Sequence, residues 1–195
     1  MDGVNRRIDY KRLAQAQSFY EDLGYLYLEV PWHISAEAVG ATLPAGRRAF
    51  PLLADTWLVG SAEQSFIQMM LDGRALGRHC AITPCFRDEE EDALHMKCFM
   101  KLELFEFLPA SDPEAARKMQ AMLADAKAFF SRFLHVAEEK TAEGIDIVCA
   151  QSGVELGSYG IRRLRDGRGW VYGTGLAEPR LGHVLSLCWD LPAAA

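Results

Sequence analysis

The chain has 195 residues, half of them hydrophobic and a quarter charged, which suits one folded domain with a sizeable core and excludes wholesale disorder. A formal net charge of −6 and a pI near 5.4 argue against a protein devoted to gripping phosphate backbones. The five cysteines, Cys80, Cys85, Cys98, Cys149 and Cys188, form no C-x-x-C pair, so neither a zinc ribbon nor a redox motif is signalled, and the chain reads as reducing and cytoplasmic.

Three of those thiols, Cys85, Cys98 and Cys149, lie in apolar stretches and are expected to pack as small hydrophobes. The N-terminus, Met1 to Arg7, lacks the apolar core of a signal peptide. No apolar run is long enough to span a bilayer. With no repeat, low-complexity tract or linker, residues 1–195 read as one domain.

In chain order, Leu13, Phe19 and Leu23 recur at helical spacing from Tyr10 to Leu23, and Gly24 is placed to end that helix. Tyr25 to Val30 suits a strand stopped by Pro31. A short helix fits Ser65 to Leu71, and a strand fits Cys80 to Phe86, before the acidic turn Glu89-Glu90-Glu91-Asp92. His95 to Leu108 carries the strongest strand signal, with Met96, Cys98, Met100, Leu102 and Leu104 on one parity facing the core. Asp112-Pro113-Glu114 opens a helix to about His135. Ile145 to Ala150, Val154 to Gly157 and Trp170 to Tyr172 read as strands, Gly173 to Pro179 as a glycine-containing loop, and Arg180 to Leu187 as a closing helix. This order gives an α+β fold with a central, mostly antiparallel sheet flanked by helices. The arginine run Arg162, Arg163, Arg165 and Arg168 reads as a solvated strand end or turn, with a local basic patch as the alternative.

On the other parity of the long strand stand His95, Lys97, Phe99, Lys101 and Glu103. A hairpin with the preceding strand would gather Arg87, Glu89, His95, Phe99 and Glu103 over one patch of sheet. An aromatic ring beside an arginine suits a nucleotide, because the ring stacks on a base and the guanidinium meets a phosphate in bidentate fashion. The same alternation also fits the solvent-facing side of an antiparallel sheet.

Phe86-Arg87-x-Glu89, a short loop, and His95-xxx-Phe99-xxx-Glu103 resemble motif 2 of the class II aminoacyl-tRNA synthetases. Gly24-Tyr25-x-x-Leu28-x-x-Pro31-Trp32 is similar to that family's motif 1. Gly173-x-Gly175-x-Ala177-x-x-Arg180 is similar to motif 3, with alanine at the usual third glycine. The wording resembles the seryl branch most closely, in Thr83-Pro84-Cys85-Phe86-Arg87, Phe99-x-Lys101-x-Glu103-Leu104 and Gly175-Leu176-Ala177-x-Pro179-Arg180. Ser61-Ala62-Glu63 resembles the element that holds the substrate's amino group, and Glu155-Leu156-Gly157-Ser158 the strand that binds magnesium.

The resemblance implies ATP and Mg²⁺ as cofactors and assigns roles to residues. Arg87 would neutralise the α-phosphate and orient the substrate carboxylate. Phe99 and Arg180 would stack on the two faces of adenine, with Arg180 also meeting the γ-phosphate; Glu89 would recognise the adenine edge and His95 the outer phosphates. Glu155 and Ser158, with Asp146, would hold Mg²⁺, while Ser61, Glu63, Arg87 and Glu103 would bind the amino acid. Glu63 also reads as a plain surface carboxylate, and Asp146 as a strand-edge residue. No ligand trio for a pocket zinc is evident.

The chain departs from the family in having no room for a tRNA-reading domain and in a motif 2 loop that is short and acidic. The expectation is therefore an adenylate-forming amino acid ligase that passes its acyl group to an acceptor other than tRNA, such as a carrier protein thiol. The substrate would be small, of the serine, glycine or alanine kind, and the protein a cytoplasmic homodimer through its motif 1 elements. The alternatives are a non-catalytic sensor or regulatory subunit, and tRNA charging with a partner protein.

Overall fold

The computed structural model describes residues 7–190. The stretch from Met1 to Arg6, part of the segment read as lacking a signal peptide, lies outside the described residues. Helix α1 (Tyr10–Asp22) is opened by Asp9, whose carboxylate accepts from the backbone N–H groups of Lys11 and Arg12. It closes at Gly24, where φ is +86°. The expected strand from Tyr25 is only the two-residue β1 (Leu26–Tyr27), and β2 (His33–Ile34) follows the Pro31 stop.

Helix α2 (Ala36–Gly40) and strands β3 (Pro51–Leu53) and β4 (Thr56–Leu58) occupy a stretch with no regular apolar period. Helix α3 (Ala62–Leu71) starts three residues earlier than expected. Strand β5 (Arg78–Phe86) and strand β6 (Cys98–Leu108) form the predicted hairpin. Helix α4 (Ala115–Phe130) then leads to β7 (Val136–Lys140), a charged edge strand placed where the helix was expected to end. Strands β8 (Ile145–Cys149), β9 (Glu155–Arg163) and β10 (Gly169–Glu178) and helix α5 (Arg180–Asp190) complete the chain.

Seven strands form one sheet in the order β1-β5-β6-β10-β9-β8-β7, antiparallel except for β1 against β5. The predicted α+β class with a central antiparallel sheet is what the chain adopts. Strand β1 reaches only His79 and Cys80 of β5, so Pro84 lies beyond that pairing and costs no ladder hydrogen bond on that side. A small sheet, β2-β4-β3, sits beside the main one.

One face of the large sheet packs on α1, α4 and α5 through Leu13, Tyr20, Leu102, Leu104, Met122, Phe129 and Val184. The other packs on α2 and α3 through Phe66, Phe105 and Trp170, whose rings stack in a row. Both parities of β6 are therefore buried at its centre, and the two-sided cover explains why the alternation there is incomplete. Toward its start the odd-parity face is left uncovered by α3, and that gap becomes the cavity described below. Of the three thiols expected to be buried, Cys85 and Cys149 are, whereas Cys98 opens its strand at the rim and is exposed.

The stretch Gly173 to Pro179 is not a loop: all of it but Pro179 belongs to β10 and is buried. Its glycines serve close packing. A Cβ on Gly173 would lie 2.5 Å from the Tyr159 ring and 2.8 Å from Met122 Sδ. Replacing Gly173 by alanine is expected to cost about 1–3 kcal/mol through overpacking, read as a lowered denaturation midpoint with an unchanged slope.

Candidate functional site

Register places the site. Phe86 pairs with Cys98 and Cys85 with Phe99, so Arg87 and Phe99 leave the hairpin at the same end. Glu178 of β10 pairs with Met100 on the far side of β6, which brings Arg180, the first residue of α5, to that end as well. Arg87, Phe99 and Arg180 line one cavity of about 290 Å³, close to the roughly 300–1,000 Å³ usual for small-molecule sites.

Arg87 is held from behind. Its Nε donates to the Gly60 carbonyl at 3.3 Å, and Gly60 N–H donates to Gln64 Oε1 at 2.7 Å. The Arg87 guanidinium stands 5.1 Å from the centre of the Phe99 ring, a cation–π contact. No described carboxylate forms an ion pair with Arg87, so its charge is available to a ligand. Arg180 does have one: its Nη1 lies 3.3 Å from Glu155 Oε1. Behind Arg180, buried Glu178 accepts from Arg12 Nε at 2.5 Å, tying α1 to the end of β10. Burial pushes the Glu178 carboxyl up despite that partner.

The other sequence-derived residues divide. Glu89, Ser61, Glu63, Glu155 and Ser158 line the same cavity. His95 lies in a small adjoining cleft that shares Arg87, Glu89, Phe99 and Arg180. It sits before β6 rather than in it, its Nδ1 2.8 Å from Asp92 Oδ2. The ring partner and two backbone N–H groups hold the Asp92 carboxyl down at about 2.

Glu103 does not line the cavity. It is fully buried beneath it, with Lys101 Nζ 2.8 Å from its Oε2, and burial raises its carboxyl. Asp146 is likewise set back: it pairs across from Ser158, and its Oδ1 is buried without a hydrogen-bond partner. Glu155 and Ser158 differ in parity, yet the irregularity in β8–β9 pairing lets both reach the cavity. Among the described residues, no three His, Cys, Asp or Glu side chains cluster as a metal site.

Glu63 has the most committed environment. Arg162 Nη1 donates to both its oxygens, at 2.8 and 2.7 Å, and Trp170 Nε1 donates to Oε1 at 2.6 Å. Arg162 also donates to Glu143 through Nη2 at 2.9 Å and stands 4.1 Å over the Tyr172 ring. Arg162 does stand near the end of its strand, as expected of the arginine run, but it is not simply solvated: it lines the cavity. The signal was available, since Ser158 and Arg162 are four residues apart in one strand and share a face. Trp170 pairs directly across from Arg162, and its role could not be read without that register.

No family model matches the chain, and no curated protein matches it in sequence. Solved structures do match. The pyrrolysyl-tRNA synthetase from Desulfitobacterium hafniense superposes with a TM-score of 0.68 at 17% identity, covering 94% of this chain and 72% of that one. A second structure of that organism's enzyme gives 0.67 at 18% identity, covering 94% and 71%. The cytoplasmic serine-tRNA ligase from Naegleria fowleri, solved in complex with AMP, gives 0.69 at 16% identity, covering 87% of this chain and 46% of that one. At such identities the likeness is one of fold, and it is the one the three motifs led to: this chain has the fold of the class II aminoacyl-tRNA synthetase catalytic domain.

Proposed function

We propose that this protein is an adenylate-forming ligase, which uses ATP to activate the carboxylate of a small α-substituted acid, with amino acids the class its motifs point to. The observation that carries the reading is the convergence of Arg87, Phe99 and Arg180 on one cavity. In the reaction a carboxylate oxygen bonds to the α-phosphorus, the bond from that phosphorus to the bridging oxygen breaks, and pyrophosphate leaves. Two anions must meet, so fixed positive charge that needs no reorganisation lowers the barrier. Arg87, anchored by Gly60, supplies that charge and aligns the two reactants. Phe99 offers a stacking face to the purine, with Arg180 on its other side; a base seated there takes the ring face that Arg87 covers and turns the guanidinium toward phosphate. Glu89 reads the purine edge, and His95, in its adjoining cleft, meets the outer phosphates.

Magnesium fits the donor set present. Glu155 and Ser158 offer only oxygen, and a cation that keeps waters and takes its remaining ligands from phosphates needs few protein ligands. Bound there, it would neutralise charge on the phosphates. Asp146, paired across from Ser158 in the neighbouring strand, stands beside these donors.

The acyl acceptor we propose is a carrier protein thiol, whose sulfur would attack the acyl carbon, lose its proton and release AMP. Glu91 and Asp92 are exposed on the loop between β5 and β6, which favours an acceptor other than tRNA. The protein acts as a homodimer: Leu26, Trp32, Leu52 and Leu53 expose apolar surface around the motif 1 segment.

ATP–pyrophosphate exchange over a panel of small acids tests the activity, and a folded sample silent with all of them would remove the proposal. Arg87→Ala is expected to lower exchange by about a hundredfold or more without shifting the thermal midpoint appreciably. Sedimentation at micromolar concentration should give a dimer that Trp32→Asp dissociates; a wild-type monomer would refute the assembly.

A further inference from the structure

The acid-binding end of the cavity is already electrically complete. Glu63 is 5% exposed and takes three hydrogen bonds from Arg162 and Trp170. Of the other carboxylates along that wall, Glu143 pairs with Arg162, and Glu155, paired with Arg180, is the one assigned above to magnesium. Asp88, nearer the mouth, is held by Arg48. Glu89 alone among the lining acids has no ion pair among the described residues; it stands two residues from Arg87, lines the adjoining cleft as well, and is the carboxylate assigned above to the purine edge. An ammonium group entering at Glu63 would therefore find both carboxylate oxygens already taken. It would instead meet Arg162, whose charge favours an anion or a neutral acceptor.

We infer that Arg162 fills the position a substrate's α-ammonium would take at Glu63, so that the acid activated here carries no free α-ammonium: its α-substituent is a hydroxyl or an acylated nitrogen. This rests on the adenylate-forming reading and narrows its substrate class. The geometry makes displacement of Arg162 costly. Its guanidinium is pinned by two carboxylates and an aromatic face, and Trp170, 1% exposed, closes the wall behind Glu63. An incoming ammonium would have to displace Arg162 Nη1 from both Glu63 oxygens and leave the partly buried guanidinium with Glu143 as its remaining carboxylate. A hydroxyl or amide at the α-carbon asks for no such exchange.

The test is ATP–pyrophosphate exchange on matched pairs: L-alanine with L-lactate and N-acetyl-L-alanine, L-serine with L-glycerate, L-phenylalanine with L-phenyllactate. Wild-type kcat/KM is expected to favour the members without an ammonium by at least about tenfold. Arg162→Ala, which frees Glu63, should move the ratio toward the amino acids. Arg162→Gln, which keeps a hydrogen-bonding side chain without the charge, should move the ratio the same way, and this second variant decides the matter if the first does not fold. Wild-type exchange that favours amino acids, or a ratio left unchanged by both Arg162 variants, overturns the inference alone. Silence with every acid overturns the activation reading and this inference with it.

Discussion

The pairing of β6 with β10 is the constraint on which the molecule rests. It runs from Gly169 opposite Leu108 to Glu178 opposite Met100, and it lies at the centre of the seven-stranded sheet. Antiparallel register leaves no freedom to slide, because a shift of one residue would exchange the two faces of each strand. Here both faces are committed. Leu102 and Leu104 belong to the core under α1 and α4, while Phe105 stacks on Phe66 and Trp170 under α3. Fixing that register also fixes where the strands end, and the end is where Phe99 and Arg180 stand.

The two covers differ in length, and this difference creates the site. Helices α1, α4 and α5 cover one face, whereas α3 covers only part of the other. The residues past its reach, Phe99, Lys101, Ser158 and Thr174, become cavity wall, and Arg162 closes it against Glu63 at the start of α3. Buried charge is then handled in pairs: Glu103 with Lys101, Glu178 with Arg12, Glu63 with Arg162. A paired buried charge contributes little net stability by itself, yet removing one partner is costly. The pairs thus hold the wall in one arrangement, and Arg87, backed by a backbone carbonyl instead of a carboxylate, keeps its charge for a ligand.

The glycines of β10 illustrate how one sequence feature can carry a different physical meaning from the one it first shows. In the sequence, Gly173 and Gly175 read as loop punctuation. In the fold they are strand residues where Tyr159 and Met122, and then Leu102 and Tyr20, approach too closely for a Cβ. The same contacts explain the hydrogen bond from the Tyr20 hydroxyl to the Gly175 carbonyl at 3.0 Å. Local propensity favours a turn at glycine, and burial between two packed layers overrides it.

The amino-acid sequence by itself determined the helices α1 and α4, the β5–β6 hairpin and the fold class, because each depends on short-range periodicity and on turn and cap residues. It also brought Arg87 and Phe99 to notice through strand alternation, and Arg180 through the resemblance of its segment to motif 3. Tertiary structure alone decided which carboxylates remain open to a ligand. Glu63 and Arg162 lie 99 positions apart in sequence, and Trp170 reaches Glu63 across 107. A contact between such distant positions depends on how strands from separate hairpins are ordered in the sheet, and no local pattern encodes that order.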